Sequence, residues 1–186
     1  MKLRKQVLSI LCVGMLAFAA GCTPEQARTT GKSEPVQEAK VNKDAETTKV
    51  SQEKVKMVFF VPIEDGSGVK QQTVEMEADK VTPKAALLAM LKADRAQKYP
   101  IFTKDIEVTS VTVKDGIASV EVNNAFVKGN GGDLAVKLQM AAIVNTLTSF
   151  DNINGVLFVN NGKKVLTVGS FDTKNPVKRM TNLIKK

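Results

Sequence analysis

The sequence contains no histidine, and its two cysteines, Cys12 and Cys22, both lie within the first 22 residues. Metal sites built from cysteine and histidine, Ser-His-Asp triads and cysteine nucleophiles are therefore excluded from the rest of the chain. The chemistry that remains possible is that of carboxylates or of a backbone cradle for phosphate. Thirteen carboxylate side chains lie beyond the polar N-terminal third of the chain.

The N-terminus has the layout of a secretory signal. Three basic residues precede the apolar run 7–20, and small residues follow it. The run is too short to span a bilayer comfortably as a permanent helix. Ala19-Ala20-Gly21-Cys22 resembles the bacterial lipobox, in which the cysteine is acylated and the chain is cut just before it. The sequence therefore predicts a lipoprotein signal peptide at 1–21 and lipid attachment at Cys22.

The alternative is a plain signal peptide, cut after Ala17-Phe18-Ala19, with an incidental cysteine. Cleavage at the lipobox leaves Cys22 as the sole cysteine, so no disulfide can form within one chain. A diacylglycerol thioether carries two acyl chains, which is enough for stable anchoring. Lipidation therefore explains the lone cysteine. It predicts a protein anchored to the cell membrane at its extracytoplasmic face.

A polar segment follows the anchor. Residues 23–54 include no aromatic residue and no Leu, Ile or Met, and they carry six basic and six acidic side chains. Such a composition cannot bury enough apolar surface to offset the entropy of ordering. We expect 22–54 to be a disordered tether with a mean reach of roughly 30 Å, and a single domain to occupy 55–186.

The domain shows alternating strand and helix patterns. Hairpins are predicted at 55–63 with 69–76, at 106–114 with 117–122 across Asp115-Gly116, and at 155–160 with 164–168 across Asn161-Gly162. A first helix starts at Thr82-Pro83 and ends near Arg95, and a second covers about 134–148 with Asp133 as its cap. The order β-β-α-β-β-α-β-β predicts an α+β fold, with two helices packed on a small mixed, mostly antiparallel sheet.

Most carboxylates in the domain have a structural explanation. Asp65 and Asp115 are typical of turns, and Asp133 of a helix cap. Four others are expected to face solvent from strands: Glu75, Glu77, Glu107 and Glu121. Two carboxylates could still meet in a cleft as an acid/base pair, although no spacing points there. We therefore predict no catalytic residue, no metal and no cofactor.

The glycine-rich stretch 129–133 (GNGGD) precedes the second helix. Backbone N–H groups at a helix start can bind phosphate. The stretch lacks the lysine and hydroxyl residue of a P-loop, however, and no strand runs directly into it. A flexible connection is the favoured interpretation.

The net charge of +8 is concentrated at the two ends of the chain. The signal carries three of the positive charges, while the tether and residues 55–172 are each neutral, so the other five lie in 174–186. A short basic tail on an exported protein does not indicate a nucleic-acid partner. Asn175-Pro176 predicts a short amphipathic helix. That helix either lies on an anionic surface or, as we favour, packs on its own domain.

Two stretches, SVTVKDGIASVEVNNAF (110–126) and IVNTLTSFDNINGVLFVNNGKKV (143–165), resemble the GerMN domain, which is named for a sporulation and spore-germination lipoprotein. The matching positions are Val111, Val113, Asp115-Gly116, Ala118, Thr146-Leu147-Thr148, Val156, Phe158 and Gly162, and the segment 82–91 resembles the family's first helix. The family often has a glutamine and an aromatic residue in the second helix, where this chain has Ala142 and Asn145.

The resemblance implies a non-catalytic α/β module, similar to the ring-building modules of secretion and sporulation complexes. The expected function is an interaction module of a membrane-anchored envelope lipoprotein. Its expected partners are envelope or spore-assembly proteins, and it would act in spore formation, germination or envelope assembly. The alternative is a lipoprotein that binds a cell-wall component or a small ligand, which an open pocket would favour. An enzyme would need convergent carboxylates in a cleft.

Overall fold

The computed structural model describes residues 53–186. The predicted signal peptide, Cys22 and nearly all of the predicted tether lie outside the described residues. The described residues lie in one compact unit, and its first strand begins at Lys54.

The first hairpin lies where the sequence predicts it. Strands β1 (Lys54–Pro62) and β2 (Val69–Glu77) pair antiparallel along their whole length. In the turn, the Asp65 carboxylate accepts the Ser67 N–H at 2.8 Å. The second half of β1 is buried, whereas most of β2 is exposed. β2 is therefore the more exposed strand of the pair, and it lies between β1 and the short C-terminal strand of the sheet.

Helix α1 (Pro83–Arg95) confirms the predicted start and end. The Thr82 hydroxyl accepts the Ala85 N–H at 3.1 Å, and Pro83 occupies the first helical position, where its missing N–H costs nothing. The buried face of the helix carries Leu87 and Met90 and packs against β1.

The second sheet has the strand order β3-β4-β5-β6, with β3 at Val108–Lys114, β4 at Ile117–Val122, β5 at Gly155–Asn160 and β6 at Lys163–Lys164. β4 and β5 are parallel, and the other pairs are antiparallel. Asp115 and Gly116 both have positive φ, which two-residue hairpin turns require. The predicted central hairpin is confirmed.

Two helices occupy the segment between β4 and β5. The short α2 (Asn124–Lys128) was not predicted, although Asn123 caps it and Phe126 anchors it in the core. Helix α3 (Gly132–Leu147) begins earlier than predicted, and its cap is Gly131, without a side-chain hydrogen bond. The predicted cap, Asp133, instead lies within the first turn.

The strand predicted at 164–168 is interrupted. β6 has only two residues, and β7 (Thr167–Val168) pairs with β8 (Phe171–Asp172) in a separate two-stranded sheet. The physical reason is a competing partner. Thr173 bonds back to Val165 through its hydroxyl and to Leu166 through its N–H, both at 2.9 Å. The chain therefore turns back on itself at Gly169 and does not continue along β5.

The C-terminal tail is extended, so the predicted amphipathic helix is wrong. Val177 bridges to Val156 of β5, a 3-10 helix covers Thr181–Leu183, and β9 (Ile184–Lys185) pairs parallel with the start of β2. The tail does pack on its own domain, which was the favoured arrangement.

Helix α3 lies at the centre of the core. Eleven of its sixteen residues are buried, and it packs against α1, β1 and β5. Phe126 and Phe158 stack with their ring centroids 5.5 Å apart. The α+β class with mostly antiparallel pairing is confirmed, with the described strands divided among three sheets.

Candidate docking surface

The carboxylates of the described residues are the first candidates for a shared ion site. Residues 53–186 contain no group of three or more metal-ligating side chains placed to share an ion. Hydrogen bonds from Ser67 lower the pKa of Asp65 in its turn. Asp133 accepts the Ser170 hydroxyl, which ties the start of α3 to the β7–β8 turn. Asp65, predicted as a turn residue, and Asp133, predicted as a helix cap, therefore both serve local structure.

One carboxylate was missed by the sequence reasoning. Asp94, on the last turn of α1, has no exposed surface. It accepts the N–H groups of Phe102 at 2.8 Å and Ile101 at 3.3 Å. Burial raises its pKa. No pattern in the sequence marks this residue, because its ligands are backbone groups of the following loop.

The side chain of Arg95 binds backbone carbonyl groups of the same loop. Its guanidinium donates to the carbonyl oxygens of Thr103 at 3.1 Å and Ile106 at 2.5 Å. The amide of Gln139 on α3 donates to the carbonyl of Ile101 at 2.9 Å. The loop between α1 and β3 is thus fixed by side chains that bond to its backbone. The hydrogen bonds of Asp94, Arg95 and Gln139 therefore stabilise the fold.

The glycine-rich stretch is a packed connection. Gly129, Gly131 and Gly132 all have positive φ, which side-chain-bearing residues avoid. A Cβ on Gly129 would lie 2.5 Å from the Cα of Gly169. The stretch connects α2 to α3, but it is packed against another loop and is not the flexible connection that the sequence suggested. Glycine is needed at position 129 because two loops cross closely there.

The outer edge of β2 is only partly covered by a neighbouring strand. β9 pairs only with Val69 and Lys70. No described strand pairs with the outer edge of the stretch Gln72–Met76 (72–76). Unpaired N–H and C=O groups along such an edge can accept another extended chain.

An apolar groove lies beside this edge. It has a volume of about 420 Å³ and is lined by Phe59, Thr73, Val74, Met76, Ala89, Lys92, Ala93 and Ala96. The alanines of α1 are too short to cover the neighbouring strand, and Val74 remains 39% exposed. The 72–76 edge and this groove together form a surface that offers both backbone and apolar contacts. We call it the β2 surface.

The tail packs beside the same hairpin through side chains that were not predicted to have a role. The buried Asn145 amide bonds to both backbone polar groups of Met180. The guanidinium of Arg179 lies 5.1 Å from the centre of the Phe60 ring and donates to the carbonyl of Asn145 at 3.2 Å. One of the two helix positions that depart from the GerMN pattern therefore holds the C-terminal segment.

A family model described as Germane, sporulation and spore germination, matches residues 57–166. The chain belongs to the Germane family. The match runs from β1 to just beyond β6, so the tail beyond residue 166 lies outside it. No curated protein matches the chain.

Two solved structures of GerMN domains show the same fold. The first GerMN domain of the sporulation protein GerM from Bacillus subtilis is 21% identical, with a TM-score of 0.51, over 66% of this chain and 97% of that one. The tandem GerMN domains of the same protein give 21% and 0.51, over 68% of this chain and 45% of that one. A Clostridium perfringens protein, described as a candidate lipoprotein, is 22% identical over 70% and 91%, with a TM-score of 0.47. The predicted GerMN resemblance is confirmed.

Proposed function

We propose that the chain is a lipid-anchored envelope lipoprotein whose Germane domain acts in spore formation or germination as a non-catalytic interaction module. The family match over residues 57–166 carries the assignment to sporulation and germination. The lipobox at Ala19-Ala20-Gly21-Cys22 supports anchoring at the extracytoplasmic face of the cell membrane. None of the described helices is long and apolar enough to cross a membrane.

The shape of the β2 surface favours a protein partner over a small ligand. A small molecule would fill only the groove between α1 and Val74. An extended chain would in addition pair with the backbone of 72–76, where no described strand lies. Main-chain hydrogen bonds then contribute affinity, and the groove contributes selectivity for side chains.

Complementation of a deletion strain tests this function. The wild-type chain should restore sporulation and germination, and a variant with the exposed carboxylates of 53–186 changed to alanine should do so too. A variant that blocks the β2 surface, Val74→Lys, should fail while accumulating normally. If one isolated carboxylate variant abolishes function with fold and partner binding intact, the module is an enzyme and the proposal is wrong.

A further inference from the structure

We propose that the β2 surface pairs with the β2 surface of a second copy of this chain. In this arrangement, strands β2 run antiparallel about a two-fold axis that passes beside Val74. The inference does not depend on the role in sporulation. It depends on the length of the open edge, on its charges and on the groove beside it.

The open edge has a natural centre. β9 occupies the edge at Val69 and Lys70, and Gln71 separates it from the open stretch. At the other end, Glu77 leads into the 3-10 helix Ala78–Lys80. The five residues 72–76 lie between these two boundaries, and Val74 is their midpoint.

Charge selects the same centre. With the axis at Val74, that residue opposes itself, Thr73 opposes Glu75, and Gln72 opposes Met76, so no like charges meet. Moving the axis to Glu75 would place two carboxylates directly opposite each other, which is destabilising. Moving it to Thr73 would set Met76 against Lys70, where β9 already lies.

Pairing of this kind also closes the groove. Gln72, Val74 and Met76 lie on the face of the hairpin that carries Phe59, because Phe59 is the cross-strand neighbour of Gln72. A two-fold axis perpendicular to the sheet keeps this face on one side in both copies. The two apolar grooves therefore become continuous, and both copies of Val74 leave water.

Anchoring would strengthen a weak pairing. An edge of five residues with one groove is a small interface, and we expect the affinity in dilute solution to be modest. Confinement to one membrane raises the effective concentration of each copy for the other. This last step rests on the proposed lipid anchor, whereas the pairing itself does not.

A cysteine scan tests the register in the full chain in cells. Single cysteines are placed at 72, 73, 74, 75 and 76, and the chain without an added cysteine reports any crosslinking through Cys22. Directly opposite residues have Cα atoms about 4.5–5.5 Å apart, within disulfide range. Cysteines one position off the axis lie roughly 8 Å apart, beyond it. Disulfide dimers should peak sharply at Val74→Cys.

A matched pair of lysine variants tests the surface. Val74 on β2 and Val113 on β3 are both exposed valines, 39% and 37% exposed. Val74→Lys places two ammonium groups opposite each other at the axis. It should lower the association constant for dimerisation of the full chain by at least about tenfold, measured by sedimentation in detergent. Val113→Lys should leave it unchanged. Far-UV circular dichroism and the thermal midpoint report whether each variant is folded.

Three results would overturn the proposal. The first is a chain that stays monomeric at every concentration without a crosslink at position 74. The second is a scan in which all five cysteines crosslink equally, or in which the peak lies elsewhere. The third is crosslinking at position 74 that appears only after residues 23–52 are deleted. That result would mean that, in the full chain, the tether of the same copy occupies the edge. Because the scan changes side chains without adding charge, it remains decisive even if Val74→Lys misfolds.

Discussion

The side chain of Asn145 binds the backbone of Met180 as a neighbouring strand would. Its Oδ1 accepts the Met180 N–H at 2.8 Å, and its Nδ2 donates to the Met180 carbonyl at 3.2 Å. Asn145 is fully buried in the last turn of α3. One residue of α3 thereby satisfies both polar groups of a tail residue that no strand reaches.

Replacing Asn145 by alanine should therefore loosen the tail and destabilise the domain. The variant leaves the Met180 N–H without its partner, whereas the Met180 carbonyl keeps the Leu183 N–H at 3.2 Å. We therefore expect the free energy of unfolding to fall by about 2 kcal/mol. Asn152→Ala, at an exposed turn position, is the control and should change it by less than about 0.5 kcal/mol. Denaturant titration gives both values. An equal effect of the two variants would show that the Asn145 bonds contribute nothing.

The contrast between α1 and the tail shows what can be predicted from sequence. Thr82 and Pro83 specify the start of α1 through neighbours three residues away, so local chemistry decides the outcome. The tail has an apolar spacing that suits a helix, yet its partners are 35 residues away at Asn145 and far earlier in the chain at Val69. Hydrogen bonds between such distant segments override local propensity.

The same distinction between local contacts and contacts of distant segments applies to the β2 surface. Turn residues and the β2 strand were predicted because hairpins depend on adjacent residues. The groove was not, because it arises where the alanines of α1 meet β2, and their contact depends on how the helix lies across the sheet. Asp94 was missed for the same reason, since its ligands belong to a loop whose path the sequence does not reveal.

Asp94 should give the domain a characteristic pH dependence. Burial raises its pKa in the folded state above the ordinary value of 3.8, so the folded chain keeps this proton to a higher pH than the unfolded chain. The contribution of Asp94 to stability is therefore fully present below the unfolded pKa. It is lost as pH rises through the raised pKa. Carboxyl titration by NMR locates the transition, and unfolding at a series of pH values measures the slope.

Two variants serve as comparisons for the slope of stability against pH. Asp94→Asn removes the titrating group, so the stability lost across this pH window should shrink. Asp65 has a lowered pKa and the opposite sign, so its stabilisation is present above the unfolded pKa and is lost as pH falls through the folded pKa. Asp65→Asn should therefore reduce the change of stability with pH only below the ordinary carboxyl pKa of 3.8, whereas Asp94→Asn should reduce it only above that value. An unshifted titration of Asp94 would contradict the argument.

If Cys22 carries the proposed lipid anchor, removing its thiol should change how the chain fractionates with membranes. Cys22→Ala removes the only thiol at the lipobox, so the chain should be released from membranes or accumulate as unprocessed precursor. Cys12→Ala, in the same apolar run, is the matched control and should leave processing unchanged. Membrane fractionation with labelling by a fatty-acid analogue measures both. Normal membrane association and labelling of Cys22→Ala would rule out the anchor.

The final prediction compares two glycines with left-handed backbone conformations, Gly129 and Gly162, of which only Gly129 is packed against another loop. Gly129 and Gly162 have nearly the same φ, +68° and +71°, so alanine suffers a similar backbone strain of about 1–2 kcal/mol at each. A Cβ at Gly162 meets nothing within 4 Å, whereas at Gly129 it lies 2.5 Å from the Cα and 2.6 Å from the N of Gly169. Backbone atoms cannot move aside as a flexible side chain can. Gly129→Ala should therefore lower the free energy of unfolding by at least about 2 kcal/mol more than Gly162→Ala. Chemical denaturation of both variants measures this difference. If the two costs are equal, the loops of residues 129 and 169 do not touch in solution, and the glycines of 129–132 need an explanation other than packing.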